Sequence, residues 1–166
     1  FWVGEIYTTN NDIINSRTFS HPDIDNGKLH FIFYDLDYSM YFPMNNYYTF
    51  MTNPEGMSDF KVPTVFMRNM FKSKEFQADF VKRLSWNLKN IWNEEHVLER
   101  LESIYKKLYP EMERNQIRWG MTMKDWTDSV EVVRDFVRKR ERYLLSQTQA
   151  FFHLSDASMK QYFGEV

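Results

Sequence analysis

The run KLHFIFYDLDYSM, residues 28–40, ends an apolar segment in two carboxylates one residue apart, Asp35 and Asp37. Leu29, Phe31 and Phe33 alternate with Ile32 and Tyr34, as in a strand rich in aromatic and β-branched side chains. Neighbouring carboxylates repel unless a cation lies between them or they face apart. If the strand persists, Asp35 and Asp37 share a face, because side chains i and i+2 do. A turn after Tyr34 splits them instead, one toward a cation and one toward the backbone. A hard divalent cation suits such a pair, and phosphoryl transfer needs one to bridge phosphate oxygens. Upstream, NNDIIN at 10–15 sets Asp12 beside Asn15. An Asp can take the proton of a hydroxyl nucleophile, and an Asn oxygen can ligate Mg²⁺. Both loops also have a plainer reading as turns, since Asn and Asp side chains mimic backbone groups.

The elements around these loops are legible. Residues 1–7 read as the last turns of a helix, broken by TTNND. Arg17–Phe19 and Leu29–Tyr34 read as a hairpin, its connection full of turn residues and ending in Asn26-Gly27. From Met40 to Val62 the chain looks irregular, with Pro43, Pro54 and Gly56 as breakers, which fits either a functional loop or a packed connector. Helices follow. Thr64–Phe71 is short. Ser73 caps the next, with Phe76, Phe80, Val81, Leu84, Leu88 and Ile91 on one face. Asn93 caps a third, with Glu94 and Glu95 in its first turn, and Pro110 is expected to end it or begin the next. Glu111–Trp119 reads as a separate short helix stopped by Gly120. Thr122 and Asp125 suggest a capping box opening the longest helix, striped by Trp126, Val130, Val133, Phe136, Val137, Arg140, Tyr143 and Leu144 and running to Phe152. Met159–Val166 reads as a tail or the start of a further segment. The expected class is α+β, predominantly α-helical, with a small hairpin and about five helices.

Composition narrows the function classes. The chain has 166 residues, enough for one domain with a proper core. Aromatic residues make up 18 %, which implies a core filled by large rings. A net charge of −2 gives no reason to expect nucleic acid, whose binders carry a basic excess. No apolar run reaches the ~20 residues of a membrane span. The absence of Cys removes disulfides, thiolate zinc sites and cysteine nucleophiles. His21, His30, His96 and His153 show no metal-ligand spacing, and no P-loop, GxSxG elbow or HExxH motif occurs. The run Arg138–Arg142 mixes basic and acidic residues and reads as a solvated helix face.

Taken together, Asp12-x-x-Asn15, a hairpin, a strand ending in Asp35 and then a helical bundle follow the order of parts in a protein kinase C-terminal lobe: base, metal-binding amide, β-ribbon, metal-binding Asp. The stretches EIYTTNNDIINSRTF, FIFYDLDYSM, FKSKEFQADFVKRLSWNLKNIW and YPEMERNQIRWGMTMKDWTDSVEVVRDFVRKRERYL resemble the spore-coat protein H (CotH) kinase-like family. The resemblance runs from about Glu5 to about Phe152 and implies an atypical kinase-like C-terminal lobe over residues 1–152, with 153–166 a tail or following segment. It implies transfer of phosphate from ATP to protein substrates, spore-coat proteins among them, with Mg²⁺ or Mn²⁺ as cofactor. Asp12 matches the catalytic-loop aspartate and Asn15 the loop amide near metal and nucleotide. Asp35 matches the metal-binding aspartate, and Asp37 the second acid of a Y/W-D-x-D pattern that joins or supports the metal set. Location in a spore coat or on an extracytoplasmic surface of a sporulating bacterium is implied in the same way.

Two departures qualify the match. The interval between Asp12 and Asn15 is shorter than the four intervening residues of ordinary kinases. The N-terminal lobe, with the lysine and glycine-containing elements that hold nucleotide phosphates, falls outside these residues. Since phosphate positioning is most of phosphoryl-transfer catalysis, the piece alone is expected to be inactive and to bind ATP weakly. The rival reading is a noncatalytic coat or surface module whose aromatic segment Tyr41–Phe60 docks a protein or glycan. A weaker third is a divalent-metal hydrolase.

Overall fold

The computed structural model describes residues 1–12, 16–57 and 64–164. The protein is 66 % helical with a small two-stranded antiparallel sheet, which makes it α+β and predominantly α-helical. The elements run α1 (Trp2–Thr8), β1 (Arg17–Phe19), β2 (His30–Ile32), α2 (Tyr47–Thr52), α3 (Val65–Met70), α4 (Lys74–Asn90), α5 (Glu94–Arg118), α6 (Met123–Phe152) and α7 (Asp156–Phe163). The strands pair antiparallel, Arg17 opposite Ile32 and Phe19 opposite His30. Their connection turns through Asp25, Asn26 and Gly27, all at positive φ, where Asn and Gly are the least strained residues.

Local rules account for most helix starts. Ser73 Oγ accepts the Phe76 N–H at 3.3 Å, and Asn93 Oδ1 accepts the His96 N–H at 2.9 Å. Thr122 and Asp125 form the reciprocal capping box that opens the 30-residue α6. The core gathers where α1, α2, α4, α6 and α7 meet. Tyr48 stacks on Phe151 at 4.7 Å, and Phe71, Phe80 and Phe152 pack edge-on around it. Ring-rich composition thus becomes a ring-filled core, its T-shaped contacts those the aromatic quadrupole favours.

Four sequence expectations are corrected. Helix α5 does not stop at Pro110 but runs through it to Arg118, merging two expected helices. Proline removes one interior hydrogen bond, but Pro110 and Lys106, whose carbonyl loses its donor, both lie on the exposed side of the helix. Trp126 of α6 stacks on Tyr105 at 4.8 Å and reaches Tyr109 at 6.0 Å, holding α5 up to the proline. The stretch after Met40 is not wholly irregular: Asn46 caps α2, which buries Tyr47, Tyr48 and Met51. The second strand ends at Ile32, short of Tyr34. Arg140 falls both in the apolar stripe of α6 and in the basic run read as a solvated face; it is wholly buried, so the stripe prevails.

Arg140 serves as an internal clamp. Its Nε donates to Tyr7 O at 2.9 Å and its Nη2 to Ile6 O at 2.6 Å, near the C-terminal end of α1. Its Nη1 donates to Pro43 O at 2.6 Å and Asn45 O at 3.1 Å. Burial pushes the guanidinium down to about 10, still charged at neutral pH. One cation therefore satisfies the carbonyls that a helix terminus leaves open and ties α1, α6 and the segment after Met40 into one body. Helix α7 closes the other side: Met159 is buried, and Lys89 Nζ donates to Tyr162 O at 2.5 Å from α4.

Candidate functional site

Helix α1 delivers the first loop. It ends at Thr9, a β-branched residue held in the left-handed region (φ 53°, ψ 47°) and 1 % exposed. Asp35 (φ 61°) and Met40 (φ 62°) are left-handed as well. Such conformations are costly for residues other than glycine and persist only where the surroundings enforce them. These three flank the two carboxylate loops, and the surroundings are visible. The Met40 N–H donates to Thr8 O at 2.8 Å, and the Asn11 N–H to Tyr38 O at 3.2 Å. Residues 8–12 and 35–40, far apart in sequence, are therefore laid side by side.

Asn10 sits at the join and is 2 % exposed. Its Oδ1 accepts the Asp12 N–H at 3.0 Å, and its Nδ2 reaches Asp35 O at 3.5 Å, the long limit of a hydrogen bond. Its carbonyl accepts the hydroxyl proton of Tyr47 from α2. The hairpin is seated against α1 by rings: Phe31 stacks on Phe1 at 4.7 Å, and the Phe33 ring lies over Gly4. A Cβ at Gly4 would come within 2.8 Å of Phe33 Cζ, so the missing side chain is what lets this ring rest against the helix.

The predicted site residues fall as follows. Asp12 is half-buried and lines a narrow crevice, too tight to admit a water molecule, with Glu5, Asn10 and Tyr34. Asp35 and Asp37 are solvent-exposed. Because β2 ends at Ile32 and Asp35 is left-handed, strand alternation does not put the two acids on one face; Asp37 lies in the turn that follows. Asn15 lies outside the described residues. Among the described residues no three His, Asp or Glu side chains form a metal-binding group. The described members of the set, Asp35 and Asp37, present exposed carboxylate oxygens, the donor type that Mg²⁺ takes alongside waters and phosphate oxygens.

Two residues at this site escaped the sequence reading. Glu5 is 1 % exposed on α1. Burial raises its carboxyl to about 7, opposed by a hydrogen bond from Asn10 and by the Phe1 amino group. Its Oε2 has no hydrogen-bond partner. The available signal was a lone acid inside the apolar run FWVGEIY. Asn10 was absorbed into a turn-forming Asn-Asn-Asp run, where nothing local distinguishes a bridging amide from a capping one.

The family model described as CotH kinase protein matches residues 1–144. The chain belongs to the CotH kinase family. No curated protein and no solved structure matches it. The family match takes in both carboxylate loops, the hairpin between them, α2 to α5 and α6 as far as Leu144. Arg140 and the α1 end that it clamps both lie inside this CotH kinase region. No described helix is long and apolar enough to cross a membrane.

Proposed function

We propose that this CotH kinase family chain carries the base and the cation-holding loops of an ATP-dependent protein kinase that acts on Ser or Thr hydroxyls. The observation supporting this is the pairing of residues 8–12 with 35–40 through two backbone hydrogen bonds and Asn10. That pairing draws a half-buried carboxylate and an exposed one, from loops more than twenty residues apart, toward one neighbourhood. In this reading Asp12 accepts the proton of the acceptor hydroxyl as its oxygen bonds to the γ-phosphorus. The bridging oxygen leaves with its electron pair on ADP. Asn15 and Asp35 hold Mg²⁺ or Mn²⁺, with Asp37 in the same set or orienting Asp35. The cation, when bound, neutralises charge on the phosphate oxygens. The family name favours spore-coat or surface proteins as acceptors, with extracytoplasmic action.

The test uses the full-length protein, ATP radiolabelled at the γ-phosphate, Mg²⁺ and an acceptor protein. Asp12→Ala should cost about 10²–10⁴ in kcat, the range of a general base, and Asp35→Ala should remove metal-dependent transfer, with folding intact by circular dichroism. Transfer retained in either variant removes that residue from the mechanism. A second reading, a noncatalytic module that docks protein or glycan, draws on the exposed rings of Tyr38, Tyr41 and Phe42 (57 %, 46 % and 55 % exposed). Stable partner binding without nucleotide dependence would favour it.

A further inference from the structure

We infer that Asn10, anchored by the buried carboxyl of Glu5, is a positioning residue that holds the Asp12 loop and the Asp35 loop in register. The inference rests on the kinase reading for its consequence but on geometry for its content. Asn10 has one acceptor group and two N–H donors on its side chain, and its surroundings dictate which way the amide lies. Oδ1 faces the Asp12 N–H, and Nδ2 faces the Asp35 carbonyl. Glu5, five residues back on α1, lines the same crevice as the amide, and the amide favours its charged form against the effect of burial. An Asx turn alone explains the Asp12 bond, two residues away. It does not explain the reach to residue 35, nor a carboxylate sealed beneath the amide in a crevice too tight for water.

Burying a carboxylate is costly unless it is paired, and Glu5 faces no Lys or Arg among the described residues, so its position makes sense as the anchor of an amide that must not rotate. The carboxyl's raised affinity for protons follows from the same burial. If the amide turned over, an oxygen would meet the Asp35 carbonyl and an N–H would meet the Asp12 N–H. Both contacts would be repulsive, and the two loops would separate. Asp12 would then lose its position relative to the metal-holding residues, and displacements of about 1 Å in such a site cost on the order of a hundredfold in rate.

The discriminating variants are Asn10→Asp and the pair Glu5→Gln/Asn10→Asp in the full-length protein. Asn10→Asp preserves the acceptor for the Asp12 N–H and removes both donors. In the double variant the amide introduced on α1 can donate back to the carboxylate introduced in the loop, restoring the anchor with reversed polarity but not the link to Asp35. The melting temperature should fall in Asn10→Asp and recover in the double variant. The kcat should stay roughly tenfold to a hundredfold down in both, with the KM for the acceptor protein unmoved. Hydrogen–deuterium exchange of the 33–40 peptide should accelerate in both. Recovery of kcat together with stability would reduce Asn10 to a structural cap and overturn the inference. If the wild-type protein transfers no phosphate, the kinase reading fails and the exchange measurement decides alone: slow exchange at 33–40 in the double variant overturns the tether, and fast exchange upholds it.

Discussion

Replacing Arg140 by Met keeps an unbranched apolar stem of similar bulk and deletes every donor along with the guanidinium. The guanidinium now serves four backbone carbonyls at 2.6 to 3.1 Å, those of Ile6, Tyr7 and Pro43 buried and that of Asn45 partly buried. Replacing a buried ion pair by apolar residues is often neutral, because both desolvated partners disappear together. Here the partners are main-chain carbonyls and stay behind unsatisfied. Each bond to a charged donor is worth about 1.5–3 kcal/mol net. Summed without relaxation, four would rival the ~5–15 kcal/mol that holds a whole domain together. The charge's own desolvation cost is relieved by the substitution, so a net loss of about 3–5 kcal/mol is expected. At ~2–4 °C per kcal/mol for a chain of this size, the melting temperature should drop by roughly 6–20 °C. Urea unfolding at pH 7, followed at 222 nm, measures the loss. Near-UV circular dichroism reports the Tyr7–Trp92 stack at the end of α1, which should weaken. Arg140→Lys should fall between the two, since one ammonium cannot span the α1 terminus and the 43–45 segment together. A Met variant within about 1 kcal/mol of wild type would refute the clamp.

Glu5 makes stability pH-dependent in an unusual direction. The folded protein keeps its proton up to about 7, whereas the unfolded chain releases it near 4.5, because burial outweighs the hydrogen bond from Asn10. Raising pH through that window therefore favours unfolding: up to about 3 kcal/mol is present below pH 4.5 and lost above pH 7. Asn10, Asp12, the Tyr47 hydroxyl and the Phe1 amino group surround this carboxyl, so the difference between wild type and Glu5→Gln isolates it. The variant should flatten the urea midpoint between pH 5 and 8, and an unchanged slope would contradict the assignment. Trp126→Ala removes the ring that stacks on Tyr105 and reaches Tyr109, so the part of α5 beyond Pro110 should fray. The expected signature is a loss of 222 nm ellipticity equal to about two helical turns; full helicity would show that α5 crosses the proline unaided.

The features readable in one dimension were those whose partners lie within a few residues. Ser73, Asn93 and the Thr122–Asp125 box each bond three residues along, and β1, the apolar faces of α4 and α6 and the stop at Gly120 obey equally local rules. Residue type and order were also enough to select Asp12, Asn15, Asp35 and Asp37 as candidates and to point to the CotH family. The end of β2, the helix within 47–52 and the continuity of α5 depend on packing against distant elements, which overrides local propensity.

From sequence alone came the helix caps, the hairpin, the ring-rich core, the family and a short set of acids and amides suited to phosphoryl transfer. Helical spacing put Arg140 on the apolar stripe of α6, but only the tertiary structure supplied its carbonyl partners, which lie 95 to 134 residues away, and only it brought Asn10 to the Asp35 loop across 25 residues. A basic residue among other charges reads as solvated until the chain folds four carbonyls around it, and an amide in a turn reads as local until a second loop arrives. The physical reason is the same in both cases: a hydrogen bond is specified by where its partner sits in space, and a periodic pattern records only which face a residue is on.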